Sequence, residues 1–205
     1  MFLTRVRLNP KRQKTRELLR DRYVGHALVE SCTNGENRTL WCVSKSQRDH
    51  VDLYMYTQVR PSAHALVEQC GWPEQYDDTV RTEDCSRMLA KVQPGDTFRF
   101  SVNVSPQRRS EGVSSAITND AGVRAWFTRR EEGWGFSTGG NFALPTVGTA
   151  GYTRKGRTVP FASSDVTGTL TVTDADRFRA AVAGGLGRTK HAGFGMLLLS
   201  PVPAT

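Results

Sequence analysis

The sequence predicts an α+β protein made of two tandem ferredoxin-like (RRM-like) βαββαβ domains, residues 1–92 and 97–205. Three observations predict it. Short runs alternate apolar and polar residues, the period of half-buried strands, and switch between runs to three- and four-residue helical steps. The order strand–helix–strand–strand–helix–strand occurs twice, with no repeat of the residues themselves. A turn at Gln93-Pro-Gly-Asp96 separates the two halves.

In the first half, residues 2–8 put Phe2, Thr4, Val6 and Leu8 on one face and Leu3, Arg5 and Arg7 on the other. This is a strand with one charged face, ended by Asn9-Pro10. From about Thr15 to Cys32, Leu18, Leu19, Tyr23, Ala27 and Leu28 recur at helical steps, with Gly25 weakening the helix. Residues 33–37 form a turn. Strands follow at about 39–45 and 51–59. A helix over 62–70 carries Ala63, Leu66, Val67 and Cys70 and stops at Gly71-Trp72-Pro73, and a strand lies near 78–82.

In the second half, Thr97–Val104 alternates Phe98, Phe100, Val102 and Val104 with polar partners. Residues 105–120, rich in Ser, Arg and Gly, read as a loop. Val123–Arg130 reads as a helix with Trp126 and Phe127, and Glu131-Glu132 as its solvated end. Residues 134–150 are extended, and 151–172 form a hairpin turning near Arg154-Lys155-Gly156-Arg157. Asp174 caps a helix over about 175–183. A loop with five glycines, at 184, 185, 187, 193 and 195, leads into a strand at Met196–Leu199.

Composition narrows the function. Lys+Arg total 28 against 20 Asp+Glu, a formal net charge of +8. Only six of the 28 are lysines (11, 14, 45, 91, 155 and 190), so 22 are arginines. Arginine's planar fork suits phosphates and guanine edges, and such a basic excess points to nucleic acid or an anionic surface. The four cysteines, at 32, 42, 70 and 85, form no CxxC pair, so no zinc site and no disulfide framework is expected. Arg5 and Arg7 interrupt the first apolar run, unlike a signal peptide. No window approaches the ~20 apolar residues of a membrane span. The expected compartment is a reducing cytoplasm.

Several groups could carry chemistry. Tyr23 and His26 are three residues apart and so share a helix face. Histidine exchanges protons near neutral pH, and RNA supplies its own nucleophile, the 2′-OH. A base, an acid and positive charge would therefore suffice for scission without a metal or other cofactor. From spacing alone, Tyr23 packing on the core beside an ordinary surface His26 is the simpler account. His50 and His64 have no partners at ligand spacing and read as structural. In the glycine loop, Gly185 and Gly187 allow close backbone approach, and Arg188, Lys190 and His191 can meet phosphate or base. Arg154, Lys155 and Arg157 at the hairpin tip can brace an RNA stem by its backbone, with a solvated charged turn as the alternative. Arg5 and Arg7 are expected on a sheet surface near the helix of His26. Arg108 and Arg109 read as loop charges.

The decapeptide Met-Phe-Leu-Thr-Arg-Val-Arg-Leu-Asn-Pro at 1–10 resembles the opening of the CasE family of CRISPR repeat endoribonucleases. The spacing to Tyr23 and His26 is similar, as are Gly71-Trp72-Pro73, the 95–104 strand ending near Ser105-Pro106, Val172-Thr173-Asp174, and the run from Gly185 to Leu197. The resemblance implies metal-independent cleavage of precursor CRISPR RNA at the base of the repeat hairpin. It implies His26 as general acid/base with Tyr23 as partner, an RNA grip by the 154–157 hairpin, and a glycine loop at the domain interface near the RNA. The product would remain bound as part of the Cascade complex with its other subunits. Two points depart from the family. The assisting polar residue after the histidine has no clear match, Ser31 being a weak one, and the 105–120 loop has no counterpart. The competing readings are a non-catalytic RNA-binding subunit of the same fold and a basic scaffold for protein partners.

Overall fold

The structure is a computed structural model. It describes residues 1–33, 39–44, 49–110, 113–154 and 157–202, with the backbone alone at 110, 113, 152–154 and 157–159. By internal contacts the chain forms two compact units. One comprises Met1–Arg87 with 151–159 and 191–193. The other comprises Met88–Ala150, Pro160–Lys190 and the chain from Phe194 on.

The first unit is built on β1 (Phe2–Leu8), α1 (Gln13–Arg20), α2 (Arg22–Glu30), β2 (Leu40–Val43), β3 (Val51–Thr57), α3 (His64–Cys70), α4 (Tyr76–Thr79) and β4 (Val80–Asp84). A short helix α5 (Ser86–Ala90) comes next. The strands form one antiparallel sheet in the order β2-β3-β1-β4, with Val6 opposite Leu53 and Val80. This is the ferredoxin-like order, with the first strand in the middle. Strand alternation decides which face is dry. Val6, Leu8, Leu53 and Met55 join Leu18, Leu28, Val29, Trp41, Leu66 and Val67 in one buried core. Arg5 and Arg7 therefore sit on the other sheet face, away from α2, and not near the helix of His26 as expected.

The expected helix over 15–32 is two helices. Asp21 is extended (φ −124°, ψ 108°), ends α1, and accepts a hydrogen bond from Tyr23 N at 2.9 Å to cap α2. Its short acceptor competes with the helix it interrupts and starts a new one.

The second unit contains β5 (Thr97–Val104), β6 (Gln107–Ser110), β7 (Val113–Ala116), α6 (Asp120–Trp134), β8 (Phe136–Ser137), most of β9 (Phe142–Arg154) and β10 (Arg157–Val172), α7 (Ala175–Gly184) and β11 (Leu198–Pro201); the end of β9 from Gly151 and the start of β10 to Val159 count with the first unit. The sheet order is β11-β5-β10-β8, with β9 also paired to β10. This is again the ferredoxin-like order. Phe100, Phe127, Phe136 and Phe178 are buried in its aromatic core.

Three further expectations change here. The 105–120 loop is in part the β6–β7 hairpin, joined by Arg108 Nε donating to Ser115 Oγ at 3.1 Å. Much of 134–150 belongs to β9, so the hairpin expected at 151–172 begins at Phe142. Glu131 is not solvated: it is buried, and its carboxylate accepts from Thr138 N at 3.0 Å and Thr138 Oγ1 at 2.6 Å. A buried carboxylate needs such donors. The cysteines are all buried and free, and burial pushes the Cys42 thiol up to about 12.

Candidate nucleic-acid interface and active site

α2 presents Tyr23 and His26 where a substrate could reach them. Tyr23 is 57% exposed. The His26 side chain is one-third exposed, and its Nδ1 lies 3.8 Å from Glu30 Oε1, one turn along. That contact lies on the Nδ1 edge of the imidazole. Two features fix the helix. Asp21 caps its start beside Tyr23. Gly25 lies directly on the fully buried Trp41, whose Cη2 a methyl group at position 25 would run into. Arg22 covers the same indole at 5.8 Å.

Trp41 also holds the far end of the glycine loop. Its Nε1 donates to His191 O at 3.1 Å, and Gly193 (φ +79°) lies against its ring. The result places His191 beside His26, ring centroids 6.1 Å apart and inclined by 73°. Upstream, the loop closes on itself. Leu186 N donates to Gly195 O, and Gly195 N to Asn103 O, both at 2.7 Å. Lys190 Nζ donates to Gly184 O. Gly185 and Gly187 have positive φ, and Arg188 is exposed.

Arg188 takes part in a second feature, in the other unit. It lines a groove of about 230 Å³ with Arg108, Arg109, Trp126 and Arg130. Arg130 lies over the Trp126 ring at 4.4 Å, and Trp126 Nε1 donates to Gln107 O at 3.1 Å. Burial, then Arg129 and Arg188, hold the Arg130 guanidinium below its usual value. Among the described residues, four arginines and no carboxylate line it, a lining that suits a polyanion. Arg108 and Arg109, expected as loop charges, lie on β6 and line this groove.

Arg5 and Arg7 lie on the sheet face opposite the core of α2, where Arg5 Nε is 4.0 Å from Asp52 Oδ1 and Arg7 lines a small pocket with His50, Trp72 and Asp78. Lys155 falls outside the described residues, and the side chains of Arg154 and Arg157 are not described. Ser31 caps α2, its Oγ donating to Leu28 O at 2.7 Å. His50 contacts Asp49 Oδ1 at 2.7 Å, and His64 stacks on Tyr76 at 4.1 Å, both in structural settings. Among the described residues, no three of His, Cys, Asp and Glu converge as a metal site would require. Sequence reasoning missed Asp21, Trp41 and Arg130. Asp21 carries a helix-cap signal, whereas Trp41 and Arg130 act through partners remote in sequence or through burial.

Residues 1–201 match the family model described as CRISPR associated protein. The chain belongs to that family. Solved structures similar to this CRISPR associated protein support the fold. Thermus thermophilus Cse3, bound to an RNA representing a pre-cleavage complex, is 24% identical with a TM-score of 0.79, covering 98% of each chain. Cas6e from Escherichia coli K-12 is 18% identical with a TM-score of 0.72, over 98% of this chain and all of that one. A chain of a CRISPR RNA-guided surveillance complex is 19% identical with a TM-score of 0.68, again over 98% and 100%. No curated protein matches by sequence. Among the described residues, no helix of this CRISPR associated protein is long and apolar enough to cross a membrane.

Proposed function

We propose that this chain is a CRISPR repeat endoribonuclease. It cleaves precursor CRISPR RNA at the base of the repeat hairpin by attack of the RNA's own 2′-OH. It then keeps the product as a subunit of Cascade, in the cytoplasm. The observation that carries this reading is the exposed Tyr23–His26 pair on a helix pinned by Asp21 and Trp41, beside the glycine loop. His26 is the general acid/base, and Tyr23 orients the phosphate or its proton. Residues 1–92 supply this chemistry, and residues 97–205 supply most of the RNA grip. Arg5, Arg7, Arg154, Lys155, Arg157, Gly185, Gly187, Arg188, Lys190 and His191 meet the RNA, joined by the Arg108–Arg130 groove. The RNA-bound Thermus relative and the surveillance-complex chain are consistent with this role. No metal is needed, because the nucleophile is built into the substrate and proton transfer is left to side chains.

The test is single-turnover cleavage of a labelled repeat hairpin in EDTA. Wild type is expected to cleave fully. His26→Ala should lose ~10²–10⁴ in rate, the usual contribution of a general acid or base, with RNA affinity within a few fold. A His26→Ala protein that cleaves at the wild-type rate would remove His26 as the general acid/base, whereas a wild type that binds the hairpin without cleaving it would leave only the reading of a non-catalytic RNA-binding subunit.

A further inference from the structure

We infer that His191 is a second proton-transfer residue, sharing the scissile phosphate with His26. This rests on the endoribonuclease reading and extends it.

The reaction moves two protons. The O2′ lone pair attacks phosphorus as its proton passes to a base. The P–O5′ bond breaks, its electron pair goes to O5′, and an acid donates a proton there. The products are a 2′,3′-cyclic phosphate and a 5′-hydroxyl. One imidazole fills one of these roles at a time. A phenol ordinarily ionises near ~10, so tyrosine serves as a donor and positions oxygens rather than acting as a base at neutral pH. A second imidazole completes the pair.

The structure brings one there from the other end of the chain. The His26 and His191 rings lie 6.1 Å apart, nearly perpendicular. His26 has Glu30 on its Nδ1 side, and its side chain is one-third exposed. Position 191 is held by its backbone: Trp41 Nε1 grips His191 O, while the side chain is exposed. The loop is bent on both sides to achieve this. Thr189 has φ 62°, a left-handed conformation that costs a β-branched residue energy, and Gly193 has φ +79°. Strain of that kind persists where the surrounding structure enforces it. Among the described residues, Glu30 faces His26, Tyr23 precedes it by one turn of α2, Arg22 lies over the Trp41 ring, and Lys190 neighbours His191 in the chain. In one turnover the two imidazoles exchange protonation states, and solvent resets them.

His191→Ala keeps the backbone anchor, and His191→Gln keeps most of the side-chain bulk as well. Each is measured by single-turnover cleavage of the repeat hairpin from pH 5 to 9, with RNA affinity in parallel. Both should slow cleavage by ~10²–10³, leave affinity within a few fold, and lose one limb of a bell-shaped pH–rate profile. Added imidazole should restore part of the rate to the alanine variant. Cleavage within a few fold of wild type, with both limbs intact, overturns the inference. So does a slow variant whose rate falls only because RNA binding fails. Two controls separate the levels: an inactive His26→Ala beside a fully active His191→Ala removes this inference alone, an active His26→Ala removes the catalytic role of His26, and a wild type that binds the hairpin without cleaving it removes the endoribonuclease reading itself.

Discussion

Gly25 shows how one residue couples folding to the site. Glycine inside a helix costs ~1 kcal/mol relative to alanine, so helix propensity alone favours Gly25→Ala. The geometry opposes it. A Cβ at position 25 runs into Trp41, which is fully buried and is also backed by Gly193. The ring has no free direction in which to yield, and overpacking of this kind costs ~1–3 kcal/mol. Overpacking outweighs propensity. Gly25→Ala is expected to lower Tm by several degrees, at ~2–4 °C per kcal/mol for a chain of this size, and to slow cleavage more than it weakens RNA binding. Thermal unfolding checks the first part. The control is the same substitution in a Trp41→Leu background, where the extra methyl should do no further harm, and a raised Tm in the wild-type background would contradict the packing argument.

At the scale of elements, Asp21 makes the break between α1 and α2 and thereby sets the direction of Tyr23 and His26. Removing an N-cap acceptor costs ~0.5–2 kcal/mol. Asp21→Ala should therefore reduce Tm modestly and cleavage more, because the first turn of α2 carries Tyr23. Asp21→Asn, which retains an acceptor, should restore most of both. Equal loss in the two variants would assign Asp21 a role other than capping. The break was hard to read because Asp21 leaves the apolar steps of Leu18, Leu19 and Leu28 undisturbed, and a periodicity argument runs straight through it. β5 was legible to the residue because alternation and a flanking turn agree over 97–104. The β6–β7 hairpin was not. Its residues are mostly polar, and Trp126 Nε1, from α6, donates to Gln107 O within it. Tyr23 and His26 were visible as a spacing. Their union with His191 was not, since the bond that makes it, Trp41 to His191, spans 150 residues.

At the scale of the whole molecule, charge decides the fate of the cleaved RNA. The chain carries a formal net charge of +8, and its basic groove and glycine loop lie far in sequence from His26. Contacts of this type go to phosphates, and phosphates number the same before and after one P–O5′ bond breaks. The affinity for the cleaved stem should then nearly equal that for the intact repeat. Product release becomes the slow step. With excess repeat RNA near physiological salt, the expected course is a burst of about one equivalent per protein and then almost no turnover. Salt gives the discriminating control. Each phosphate contact contributes ~0.7–0.9 to the log–log slope of affinity against salt, so six or more contacts weaken binding by ~10³ between 50 and 200 mM. If phosphate contacts hold the product, turnover after the burst should rise steeply over that range while the burst rate changes little, until substrate binding also fails. Steady multiple turnover at low salt would contradict product retention and point instead to a freestanding processing ribonuclease.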